Sequence, residues 1–325
     1  MQTEIVSARS PNECDKAVAL LRAGEIVALP TETVYGLAAD ALNPEAVAKI
    51  FEAKERPRFD PLIVHLPARD WLERVAQIDA GASSLVVRLI QRFWPGPLTI
   101  LLPKTDLIPD IVTAGLTNVA VRMSAHPVFA AIARELDRPL AAPSANRFGR
   151  VSPTTAAHVS EELDGRIPLI VDAGATEHGL ESTIVRVGGN RLTILREGPI
   201  TREVLAEFGE VDAETSATRP NAPGQLASHY APRTPLVIAE NISQFAPPAH
   251  QRCGALLWSS APFSETFVES RRLSTTNDLR EAAANLFREM RELDRAGLDL
   301  IVAEAVPEKG LGVAIMDRLR RAAHR

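Results

Sequence analysis

Lys54, Arg56 and Arg58 stand at alternate positions in FEAKERPRFDPLIVHL, in a chain where lysine is rare and arginine abundant. Lysine is a compact point charge and arginine a planar fork, so a turn carrying both can hold two different anionic groups. Val47, Ile50 and Phe51 recur at helical spacing behind an Asn43-Pro44 start signal, which predicts a helix leading into this turn. Pro57 cannot continue that helix and drives Arg56 toward extended backbone. PLIVHL then reads as a short buried strand. Some of this charge suits any helix C-terminus. The rest suits an anion site on a loop held by rigid elements.

Further polar clusters fall at strand ends. PTETVYGL (30–37) sets Thr31, Glu32, Thr33 and Tyr35 behind the apolar EIVAL. His65 closes LIVH, and Arg122 lies in VAVRM. PSAN (143–146) follows LAA, and VSPT (151–154) comes after it. Ser182 and Thr183 open one strand, and Arg196 ends another. Each has an ordinary structural reading: a cap, a turn, a core histidine, a surface ion pair. Their recurrence at the strand ends of an α/β pattern, where ligands bind, favours a polyanion site. G-x-x-x-x-G-K-[ST], a G-x-G-x-x-G after the first strand, G-x-S-x-G and H-E-x-x-H are all absent. GLGVAI (310–315) lacks the third glycine of a dinucleotide fingerprint. The seven histidines are scattered, which argues against a metal cage. A nucleotide would be held by side chains from several loops.

The elements that must position these residues alternate. DKAVALLRAG, ARDWLERVAQ, SSLVVRLIQRFW and HPVFAAIARELD read as helices. EIVALPT, PLTILLP, NVAVRM, PLAAPSAN, PLIVDAG, ESTIVRV and RLTILRE read as strands. The last two form a hairpin over Gly188, Gly189 and Asn190, so the α/β sheet is expected to be mixed. About 25 residues without periodicity follow TREVLAEFG, and a stretch of that length is usually a linker or a lid. PLVIAE, CGALLWS, LDLIVAEAV, a long amphipathic helix near 276–297 and a terminal helix make a second, smaller α/β domain.

Bulk numbers bound the partners. A net charge of -5 and a pI near 5.9 argue against a nucleic-acid coat. Cys14 and Cys253 suggest neither a disulfide framework nor a zinc site. No apolar run reaches the length of a membrane span and no signal peptide is seen, so the cytoplasm is the expected location.

Taken in order, PTETVYGLAADA, KERPRFDPLIVH, PSANRFGRVSPT and ESTIVRV resemble the Sua5/YrdC/YwlC family of threonylcarbamoyl-AMP synthases. APGQLASHYAPRTPL (222–236) is similar to the linker of the long, two-domain members, and GLGVAIMDRLRRAA to the end of their second domain. The resemblance implies a YrdC-like twisted mixed sheet with helices on its faces over 1–208, a linker or lid over 209–235 and a Rossmann-like α/β Sua5 domain over 236–325. It implies condensation of L-threonine, bicarbonate and ATP into threonylcarbamoyl-AMP and pyrophosphate. Mg²⁺ would accompany ATP, with no metal tightly ligated by the protein. The product would pass to a tRNA threonylcarbamoyl transferase complex that forms N6-threonylcarbamoyladenosine at position 37 of tRNAs reading ANN codons.

By the same resemblance Lys54 and Arg56 carry catalysis. Lys54, Arg56, Asp60, Asn118, Ser144, Asn146, Ser152, Arg196 and Tyr230 face ATP, with Tyr230 closing over it. Thr33, His65, Arg122, Ala142 and Ser182 face threonine. Asp60 stands where the family often has Asn, Phe148 where it often has Ser, and Glu197 where it often has Pro. Two other readings stay open at this point: an RNA-binding module, with weak RNA affinity as a partner, and a carbamoyl-transfer domain.

Overall fold

Short apolar runs bracketed by proline, glycine and charged turns make strands that bury both faces, and the helices between them must cover those faces. In the computed structural model, which describes residues 2–8, 11–213, 222–226, 228–258 and 266–324, the chain divides into two units. The first comprises Met1–Phe148, Pro153–Thr176 and Glu181–Gln225; the second comprises Gly149–Ser152, Glu177–Leu180 and Leu226–Arg325.

The strands of the first unit are β1 (Glu4–Ser7), β2 (Val27–Leu29), β3 (Gly36–Asp40), β4 (Ile63–His65), β5 (Leu98–Pro103), β6 (Asn118–Arg122), β7 (Leu140–Ala141), β8 (Leu169–Asp172), β9 (Thr183–Gly188), β10 (Arg191–Arg196) and β11 (Glu210–Ala213). They form one sheet in the order β1-β8-β2-β3-β7-β4-β6-β5-β9-β10-β11. Parallel pairs (β1/β8, β4/β6, β5/β9) mix with antiparallel ones (β2/β3, β5/β6, β9/β10), as the hairpin motif requires. Its helices are α1 (Pro11–Arg22), α2 (Pro44–Lys54), α3 (Leu72–Val75), α4 (Ser83–Phe93), α5 (Asp110–Thr113), α6 (Pro127–Leu136), α7 (Ala156–Leu163) and α8 (Arg202–Leu205).

Side-chain alternation sorts the layers. Val27 and Leu29 of β2 pack with Leu21 of α1 and Phe129 of α6, while Ala28 between them packs with Ile50 of α2 and Leu89 of α4. Thus α1 and α6 cover one face, and α2 and α4 the other.

Four strands lie outside the sequence expectations. β3 is GLAAD, small residues with no β-branched signal, paired because it lies between β2 and β7. β1, the charged edge strand β11 and, in the second unit, the charged edge strand β14 (Glu269–Arg272) take their pairing from a neighbour rather than from an apolar pattern. β11 continues the first sheet from β10 at 210–213, inside the stretch expected as linker. Residues 214–221 and 227 of that stretch lie outside the described ones. β7 keeps only two residues because Pro139 and Pro143 bracket it.

The second unit has β12 (Leu236–Ala239), β13 (Cys253–Leu257), β14 (Glu269–Arg272) and β15 (Leu300–Glu304), all parallel in the order β12-β15-β13-β14. Its long helices are α9 (Leu279–Arg295) and α10 (Leu311–Ala323). The glycines of GLGVAI serve packing here. Gly310 starts α10, and a Cβ on Gly312 would lie 1.9 Å from Pro307 O. Among the described residues no helix is long and apolar enough to cross a membrane.

Candidate functional site

The basic turn is built by a helix end. α2 stops at Lys54, ahead of Pro57, because Glu55 adopts the left-handed conformation at φ 54 and returns its N–H to Phe51 and Glu52 carbonyls. Arg56 N also donates to Phe51 O at 2.9 Å. A non-glycine residue in that conformation is strained by roughly 1 kcal/mol or more. Here Arg147 and Arg166 both pair with the Glu55 carboxylate.

Lys54 points inward and is 1% exposed. Its Nζ donates to Ser144 O and Asn146 O, and its own carbonyl accepts from Phe148 N. The KER and SAN segments therefore form one body. Burial, and then the neighbouring Arg56 charge, push the Lys54 ammonium pKa well down.

Arg56 donates to Asp60 O and Pro61 O, and its Nη2 lies 2.8 Å from Asp60 Oδ2. That contact is an ion pair without hydrogen-bond alignment, since neither Asp60 oxygen accepts a hydrogen bond. Asp60 is wholly buried, and burial raises its pKa although Arg56, Lys54 and Arg196 all act to lower it.

Arg196 reaches the cluster through a β-bulge after Ile194, which sets it opposite Ile184. It donates from Nε to Ser182 O and from Nη2 to Ser182 Oγ, both at 3.0 Å. Ser182 Oγ is also hydrogen-bonded with Thr99 Oγ1 at 2.8 Å. Gly198 makes room for this: a Cβ there would lie 2.5 Å from Thr183 N and 2.6 Å from Glu181 O.

A second buried constellation surrounds Arg122. Its Nε donates to Gly96 O, Nη1 to Thr33 Oγ1 at 3.0 Å and Nη2 to Glu32 Oε1 at 2.5 Å. Glu32 Oε2 accepts from Ser124 Oγ at 2.5 Å. Burial would raise the Glu32 pKa, but Arg122 and the Ser124 hydrogen bond outweigh it and hold the carboxyl down at about 2.

The register of β4 on β6 puts His65 directly opposite Arg122. His65 packs on Phe129 and is 2% exposed; burial first, then the Arg122 charge, lower its pKa to about 3. The ring is neutral at ordinary pH. Its Nδ1 has no hydrogen-bond partner among the described residues, and the Ala142 backbone beside the ring acts to raise its pKa.

Of the expected site residues, the structure joins Lys54, Arg56, Asp60, Ser144, Asn146, Arg196 and Ser182 in one set of contacts and electrostatic neighbours, and Thr33, His65, Arg122 and Ala142 in another. Asn118 opens β6 opposite Pro103 and makes no side-chain contact with either set in the hydrogen bonds described. Ser152 and Tyr230 belong to the second unit. There Tyr230, at φ 63, is stacked on Phe287 and meets His229 edge-on, with the Arg318 guanidinium 5.0 Å from its ring.

The sequence pattern left Glu32 and Gly198 without a role, and gave no sign of Ser124 and Thr99. PTET pointed at Glu32 and Arg196-Glu197-Gly198 at Gly198; the other two carry no motif. No cluster of three metal-binding side chains occurs among the described residues. Asp60 alone, a hard oxygen donor without a hydrogen bond, suits a divalent cation whose other ligands come from elsewhere.

Two family matches divide the chain. The family described as "Telomere recombination" (Sua5, YciO, YrdC) matches residues 19–198, and "Threonylcarbamoyl-AMP synthase, C-terminal domain" matches 200–324. A threonylcarbamoyl-AMP synthase of Bacillus subtilis is 41% identical, covering 99% of this chain and 95% of that one. One of Pyrococcus abyssi is 40% identical, covering 94% and 92%. The crystal structure of P. abyssi Sua5 complexed with L-threonine superposes with a TM-score of 0.88 at 37% identity, covering 99% of this chain and 98% of that one.

Proposed function

The chain belongs to the Sua5/YrdC family of threonylcarbamoyl-AMP synthases, in its long two-domain form, and we propose that the two buried arginine constellations of its first unit are its ATP and threonine subsites. The enzyme condenses L-threonine, bicarbonate and ATP. The threonine amine loses a proton and attacks bicarbonate carbon, with loss of water, giving a carbamate. A carbamate oxygen then bonds to the α-phosphorus as the bond to pyrophosphate breaks. No protein nucleophile is needed.

The observation that carries the phosphate side is Lys54, Arg56 and Arg196 converging around one carboxylate that has no hydrogen-bond donor. Negative charge develops on the departing pyrophosphate, and fixed cations lower that barrier by electrostatics and positioning. Ser144 and Asn146, bonded to Lys54, complete this side, to which the resemblance adds Asn118. Mg²⁺, when bound with ATP, shields phosphate charge, and Asp60 is the side chain suited to face it.

The amino-acid side rests on Arg122, whose guanidinium can take a carboxylate. Neutral His65 offers an acceptor for substrate N–H or O–H and is too weak a base to hold a proton at neutral pH. Thr33 and Ala142 line the same subsite, while Ser182, which the resemblance gives to threonine, is bonded to Arg196 on the phosphate side. A site that hydrogen-bonds a hydroxyl rejects an apolar isostere far better than a hydrophobic slot does. The product feeds a tRNA-modifying transferase.

The test is pyrophosphate release from ATP and Mg²⁺ with bicarbonate, with and without L-threonine, and the nucleotide product identified by mass. Threonine-dependent release with a threonylcarbamoyl-adenylate mass is expected. Release that ignores threonine would overturn the assignment.

A further inference from the structure

Glu32 is 5% exposed and both its oxygens are engaged, by Arg122 Nη2 and Ser124 Oγ. A buried carboxylate held this way stays ionised, so it cancels the charge of Arg122 and fixes the plane of its guanidinium.

The hydroxyls beside it have a fixed direction. Thr31 Oγ1 directs its one proton to Val34 O at 2.6 Å and accepts from Thr33 N and Val34 N. Across the 2.8 Å contact of the two hydroxyls, Thr33 is therefore the donor. Thr33 Oγ1 also accepts from Arg122 Nη1. Only a lone pair is left for a ligand. His65 is a neutral imidazole whose unpartnered Nδ1 can present a lone pair.

The subsite thus has a guanidinium for a carboxylate, two acceptors for N–H or O–H donors, and a net charge of zero contributed by the Arg122–Glu32 pair. An anion entering such a place loses its hydration and meets no uncompensated cation. A zwitterion brings its own balancing charge, and its ammonium meets acceptors.

We propose that Glu32 is the specificity-determining residue that makes the amino-acid subsite read a zwitterion, by cancelling the charge of Arg122 while orienting it. The proposal rests on the assignment of Arg122, Thr33 and His65 to threonine. Glu32 acts through Arg122 and need not touch the substrate. Removing its charge converts the subsite into one that favours anions.

Calorimetric titration of the full-length enzyme without nucleotide tests this. The ligands are L-threonine and 2,3-dihydroxybutanoate, in which a hydroxyl replaces the ammonium. Wild type prefers threonine. In Glu32→Gln the preference falls at least about tenfold, with the anion gaining relative to the zwitterion. Ser124→Ala, which keeps the Glu32 charge, retains the preference. A folded Glu32→Gln with the wild-type preference overturns the proposal while leaving the threonine subsite standing. Wild type that binds threonine no better than the anion also overturns it. Wild type that binds no threonine overturns the subsite assignment itself. Should Glu32→Gln not fold, Glu32→Asp serves: it keeps the charge on a shorter arm and must retain the preference while binding both ligands less well. Loss of the preference there refutes the proposal.

Discussion

Two buried arginine–carboxylate pairs in the first unit, Arg122–Glu32 and Arg56–Asp60, have similar separations and opposite chemistry. Glu32 receives a donor on each oxygen and its pKa drops to about 2. Asp60 lies 2.8 Å from Arg56 Nη2 and near two further cations, yet no hydrogen bond reaches its oxygens and its pKa rises. Proximity of opposite charge is therefore a poor guide to the state of a buried carboxylate. Whether donors replace its lost water decides. The Glu32 pair is a finished structural element. The Asp60 cluster has its charges assembled and its hydrogen bonds unfilled, which suits a site completed by a ligand.

The largest expected effect falls on the unfilled cluster. Lys54→Ala or Arg56→Ala reduces threonine-dependent pyrophosphate release by roughly 10²-fold or more, with the fold retained by circular dichroism. Near-normal turnover in both would remove the phosphate-site assignment.

Next comes stability, where the two carboxylates should respond with opposite sign. The fall of the Glu32 pKa from 4.5 to about 2 corresponds to about 3 kcal/mol, present above pH 4.5 and lost as pH falls toward 2. Glu32→Gln should therefore lower the denaturation midpoint at pH 7, with a deficit that shrinks in acid. Asp60 has a raised pKa, so its ionisation opposes folding as pH rises above 3.8. Asp60→Asn should raise the midpoint at pH 7 and change it little near pH 3. Two substitutions with the same sign at pH 7 would break the comparison.

His65 gives a narrower test. Its folded pKa of about 3 lies below the ordinary 6.5, so an unfolded chain binds a proton that the folded one refuses, and stability falls as pH drops from 6.5 toward 3. His65→Gln should flatten that part of the stability profile; an unchanged slope would place the acid sensitivity elsewhere.

Much of the framework was legible in the chain. The periodic apolar stripe of 44–54 gave α2, the Gly188-Gly189-Asn190 turn gave the β9–β10 hairpin, and the strand-end polar runs marked residues that the fold gathers around Arg56 and Arg122. β3 and β11 were not legible, because small or charged residues pair there only when a neighbouring strand offers its edge. The end of α2 was half legible. Pro57 forbids a longer helix, but no glycine marks the left-handed stop, which falls on Glu55. Ser152 and Tyr230 were visible as motifs, whereas their division from Lys54 into another unit was not.

By itself the sequence determined which side chains could do chemistry here and which elements would carry them, because helix and strand periods and proline geometry are local. Only the tertiary structure decided the state of each group. Glu32 is ionised because Arg122 and Ser124, 90 and 92 residues away, bring it donors, and Asp60 lacks them although Arg56 lies four residues off. Solvent exclusion and hydrogen-bond supply belong to the folded packing, and no spacing along the chain encodes them.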